Sequence, residues 1–122
     1  MRLISWLGAA AVTGSLLAAP ALAQTNRFDG TWSVEVVTQQ GNCDRAYRYS
    51  VIIQNGQARY GGPEQFNVSG RVQASGAVSA NISRGQDRAN VTGRLSGNRG
   101  AGTWSTSGGR TCSGQWNAEK RS

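Results

Sequence analysis

The chain has 122 residues, no histidine, one methionine and two cysteines, and its 13 basic and 6 acidic side chains give a formal charge of +7. That inventory excludes a histidine-based triad, a histidine general base, a zinc site of the usual ligand set and haem ligation by histidine. A one-domain chain of this sign is drawn to polyanions such as nucleic acid, anionic lipid or acidic polysaccharide, unless the charge serves solubility alone.

In chain order, the first element is a signal segment over residues 1–23. Arg2 opens it, an apolar run follows from Leu3 to Ala19, and Ala21-Leu22-Ala23 offers a small-residue cleavage site before Gln24. The run has the length of a signal-peptide core and no stop-transfer pattern after it; a permanent anchor is the alternative. Export to the periplasm or beyond, with cleavage after Ala23 and no membrane span in the mature form, is the expectation. The mature domain is then 24–122. It has lost Met1, and its 12 remaining basic residues are all arginine except Lys120. Arginine's planar fork suits carboxylate and phosphate groups better than lysine does.

After the signal, short alternating runs broken by turn residues predict an all-β domain: an antiparallel up-and-down meander of about eight strands, closed or nearly closed into a barrel. The predicted inward rows are Trp32, Val34 and Val36, then Tyr47, Tyr49, Val51 and Ile53. Asn55-Gly56 next makes a strong hairpin signal, followed by Ala58 and Tyr60. Phe66, Val68, Gly70 and Val72 form the fourth row, Val78, Ala80 and Ile82 the fifth, and Ala89, Val91, Gly93 and Leu95 the sixth. Gly102, Trp104 and Thr106 precede the last row, Cys112, Gly114, Trp116 and Ala118. Asn67 to Val72 is echoed at Asn90 to Leu95, and Gly30-Thr31-Trp32-Ser33 at Gly102-Thr103-Trp104-Ser105. These echoes mark equivalent strand environments, in which inward glycines leave room for tryptophans.

Cys43 and Cys112 are expected to pair in an oxidising compartment, since neither C-x-x-C spacing nor a histidine supports a redox or metal role. In a meander, alternate connections share one end. The tight ones at 55–56, 74–75 and 97–100 lie at one end, and the longer ones at 38–46, 61–65, 84–88 and 107–111 at the other. The disulfide belongs at the long-loop end and ties the start of the meander to its last strand. Arg45, Arg84, Arg88 and Arg110 gather at that end and form the first candidate binding surface, because rigid scaffolds usually carry function on loops. Arg48, Arg71 and Arg94, at outward strand positions, form a second basic face.

Four segments carry a resemblance: Phe28 to Trp32, Cys43 to Tyr49, Gly100 to Trp104 and Cys112 to Trp116. Through them the chain resembles a group of small exported alphaproteobacterial β-proteins, some labelled haem-utilisation or adhesion exoproteins. The resemblance implies an exported β-domain and carries over no functional residue. For haem it would leave Tyr47, Tyr49 and Tyr60 as the axial candidates, and all three read as inward packing.

The function expected from the residues is a non-enzymatic binding or surface-interaction module. Its arginine-bearing rim would contact an anionic polymer or envelope component, without cofactor, metal or catalytic residue. The alternatives are a small-ligand barrel, decided by whether Trp32, Trp104 and Trp116 fill the lumen, and a periplasmic enzyme inhibitor that inserts a loop into a cleft.

Overall fold

The computed structural model describes residues 27–62 and 66–122. The expected signal segment, its cleavage site, and Glu64 within the 61–65 connection lie outside the described residues.

Eight antiparallel strands close into one barrel in sequence order. They are β1 (Gly30–Gln40), β2 (Ala46–Gln54), β3 (Gln57–Tyr60), β4 (Asn67–Val72), β5 (Ala77–Arg84), β6 (Asp87–Ser96), β7 (Arg99–Gly108) and β8 (Ser113–Lys120). Closure is made by β1 on β8, from Trp32↔Lys120 to Gln40↔Ser113, with an irregularity between Thr38 and Gln40. Closing the ladder removes the two free edges that a meander of this length would otherwise expose. Among the described residues the shortest seam is β3 on β4, with the pairs Gln57↔Arg71 and Ala58↔Gly70.

Period-two alternation sends one row of each strand inward. On β2 that row is Tyr47, Tyr49, Val51 and Ile53, while Arg48 and Gln54 face solvent. The short-turn end is plugged. Phe28, just before β1, is 4% exposed and packs with Trp32, Ile53, Val72, Leu95 and Ala118. Arg27 holds the segment in place: its guanidinium donates to the Ala74 carbonyl at 2.9 Å and lies 5.1 Å from the centroid of the Phe28 ring. Asp29 Oδ2 accepts the Asn55 N–H at 3.0 Å and so ties this segment to the Asn55-Gly56 hairpin.

The tryptophans stand against glycines because only a missing side chain admits an indole that close to a backbone. A Cβ on Gly93 would lie 2.5 Å from Trp116 Cζ2, and one on Gly102 would lie 2.6 Å from Trp116 Nε1. Each indole N–H is satisfied by a carbonyl: Trp32 donates to Phe28 at 2.9 Å, Trp104 to Val37 at 3.1 Å and Trp116 to Thr92 at 2.9 Å. Buried donors without such partners would each cost on the order of 1–3 kcal/mol. The expected packing role of the three tryptophans is what the structure has.

One connection differs from its expected length. Residues 84–88 are not a longer loop; β5 and β6 pair as far as Arg84↔Asp87 around a two-residue turn, Gly85-Gln86. Gly85 has a positive φ of 61°, which allows so tight a reversal. Arg84 and Arg88 are therefore strand residues flanking a hairpin and not loop residues.

Candidate functional site

Phe28 is buried at the short-turn end, and Trp32, Trp104 and Trp116 line the lumen without filling it. A cavity of about 180 Å3 lies inside the barrel, walled by inward residues of all eight strands. Tyr49, Val51, Val68, Ile82 and Val91 all point inward, yet each is only half-buried. Inward side chains of a filled barrel would be inaccessible; these are not. For scale, an engineered cavity of ~150 Å3 lined by Leu, Ile and Phe stays dry and admits benzene.

The mouth lies at the end carrying the disulfide. Cys43 and Cys112 are bonded, as expected, and Cys43 lines the cavity wall. The Cys43 N–H points at Cys112 Sγ at 3.2 Å, and Thr106 Oγ1 accepts the Cys112 N–H at 2.9 Å. The bridge thereby joins the β1–β2 connection to the start of β8.

One side of the mouth is aromatic. Tyr47 and Tyr49 stack with centroids 5.9 Å apart, Tyr49 meets Phe66 edge-on at 5.0 Å, and Tyr60 meets both Tyr49 and Phe66 edge-on. Offset and edge-on pairs are the favoured geometry for ring quadrupoles. Tyr47 Oη accepts the Asp44 N–H at 3.3 Å. The Tyr49 hydroxyl has no hydrogen-bond partner among the described residues. Burial first, then the neighbouring Tyr47 and Tyr60, pushes its pKa up to about 12. It therefore remains a neutral O–H donor at any physiological pH.

The mouth also carries charge. Among the described residues, Arg84, Arg88 and Arg110 line the cavity with a single carboxylate, Asp87. Arg110 pairs with Asp87 at 3.8 Å, and both side chains are about half exposed, so the pair contributes little energy. Arg84 Cζ sits 5.1 Å from the Phe66 centroid in a cation–π contact, and neither Arg84 nor Arg88 has a carboxylate partner among the described residues. Arg45, the fourth candidate of the rim, lies exposed in the β1–β2 connection and does not line the cavity.

The second basic face is dispersed by register. Gln57 stands opposite both Gln54 and Arg71, so Arg71 is level with Gln54, six residues along β2 from Arg48. At the usual rise that is on the order of 20 Å. Arg48 is paired with Glu35 at 3.4 Å, and Arg94 donates to the Ser75 carbonyl at 3.3 Å.

No group of three or more His, Cys, Asp or Glu among the described residues could hold a metal ion. Sequence reading placed Phe66 in an inward row but not at the mouth, and it assigned Phe28 no role in closing the floor. Both depend on how the ends of a closed barrel are finished, and alternation does not encode that. No family model matches the chain, and no curated protein or solved structure is significantly similar to it.

Proposed function

We propose that this protein is an exported, non-enzymatic binding barrel that takes the apolar part of a small ligand into its lumen through the arginine-bearing mouth. The observation that carries this reading is the unfilled lumen: inward residues of all eight strands, Trp32, Trp104 and Trp116 among them, line a cavity of about 180 Å3. Small-ligand sites are concave, mostly apolar and edged by a few polar groups, and this lumen has that composition. Three of the four rim arginines lie on the cavity wall, where they favour a ligand entering the barrel over a polymer lying across its outside. The disulfide and the signal-like segment over residues 1–23 support export.

The reading is tested by filling the lumen. Titrating the purified, disulfide-bonded protein with a neutral single-ring compound such as benzyl alcohol, followed by tyrosine and tryptophan fluorescence, is expected to give saturable one-to-one binding. Val68 is inward and half-buried on β4. In Val68→Trp the binding should weaken at least about tenfold, the effect of losing some 1.4 kcal/mol of contact, with an unchanged β-type circular dichroism spectrum. No saturable binding by the folded wild-type protein would contradict the reading.

A further inference from the structure

We infer that the ligand is a small aromatic monocarboxylate, its ring in the lumen and its carboxylate held at the mouth by Arg84 and the Tyr49 hydroxyl. This rests on the binding-barrel reading and identifies the chemistry of its ligand. Three observations converge on it. First, Phe66 is a shared neighbour: the Tyr49 ring meets it edge-on at 5.0 Å, and the Arg84 guanidinium lies 5.1 Å from its centroid. The two donors therefore stand on one side of the mouth, and Arg84 is among the charges that act on Tyr49. Second, both have unused capacity. Arg84 has no carboxylate partner, and the Tyr49 hydroxyl no hydrogen-bond partner, among the described residues.

Third, the cavity suits a ring in size and lining. About 180 Å3 is close to the volume that admits benzene, and the aromatic side chains of Tyr47, Tyr49 and Phe66 share the lining with aliphatic ones such as Val68 and Ile82. A ring entering among them gains edge-on contacts from the aromatic side chains and apolar packing from the aliphatic ones. The charge at the mouth sets the sign of the ligand: among the described residues of the cavity wall three arginines outnumber Asp87, and Asp44 adds one carboxylate near Tyr49, so a carboxylate is favoured over an amine. When the ligand enters, the guanidinium exchanges its contact with the Phe66 face for a stronger charge-assisted hydrogen bond to the carboxylate, and Tyr49 donates a second.

Calorimetric titration with phenylacetate, its neutral amide phenylacetamide, and hexanoate tests this. Phenylacetate is expected to bind about tenfold more tightly than phenylacetamide, the size of one charge-assisted hydrogen bond at a partly exposed site. It should also bind more tightly than hexanoate. Arg84→Gln should erase the preference for acid over amide. Arg59→Gln removes the same charge from the outer face of β3 and should preserve it. Equal affinity for acid and amide would overturn the carboxylate assignment while leaving the lumen reading standing. Hexanoate binding as tightly as phenylacetate would overturn the aromatic assignment. Failure of all three compounds to bind the folded protein would overturn the binding-barrel reading itself.

Discussion

Replacing Trp32 by alanine is expected to destabilise the protein by about 3–5 kcal/mol, the range for truncating a large buried aromatic. Trp32 is 1% exposed, the most completely buried large side chain among the described residues. Its indole donates at 2.9 Å to the carbonyl of Phe28, the residue that plugs the short-turn end. Truncation therefore opens a cavity and also releases the plug's anchoring hydrogen bond. For a domain of this size each kcal/mol shifts Tm by about 4–8 °C, so a fall of at least about 12 °C is expected. Urea unfolding should show a lower midpoint at unchanged slope. Trp32→Phe, which keeps most of the packing but leaves the carbonyl without its donor, should lose less, about 1–3 kcal/mol. A loss below about 1 kcal/mol in the alanine variant would mean that the floor of the barrel is not its core.

Opening the disulfide is expected to have an effect of similar size, by a different route. Cys43 and Cys112 are separated by 69 residues, and closing a loop of that length restricts the unfolded chain by about 4 kcal/mol in the chain-entropy model. The bridge also holds the mouth, because it links the β1–β2 connection to the start of β8 beside the irregular end of the β1–β8 ladder. Cys43→Ser with Cys112→Ser, or reduction of the wild-type protein, should lower the urea midpoint accordingly. Amide hydrogen exchange should accelerate most at residues 38–46 and 109–113, at the mouth, and least around Trp32 and Leu95. Equal unfolding midpoints for the oxidised and reduced protein would contradict this account.

Much of the barrel was legible in the sequence because each of its signals is local. Alternation on β2 and β6 named the inward rows, Asn55-Gly56 named a hairpin, and the positions of Cys43 and Cys112 implied closure of the first strand on the last. The glycines opposite tryptophans were legible for the same reason: Gly93, Gly102 and Trp116 meet on adjacent strands at inward positions.

Three things were not legible. Whether three tryptophans fill a lumen depends on barrel radius and on which wall they lean against, and neither quantity is local. The arginines at positions 84 and 88 were read as loop residues, whereas Gly85 makes a reversal so tight that both remain on strands and reach the mouth of the cavity. The outward arginines at 48, 71 and 94 looked like one stripe, because alternation reports which face a residue occupies but not the stagger between strands. The register places Arg48 and Arg71 toward opposite ends of the barrel.

The central claim, that the lumen is the binding site, is tested most directly by mapping chemical-shift changes on the isotope-labelled protein during titration with phenylacetate. The account predicts that saturable changes concentrate on Tyr49, Phe66, Val68, Ile82 and Val91, with none on the outward Thr92, Thr103 and Asn117. Changes confined to those outward positions, with the lumen side chains unmoved, would contradict it.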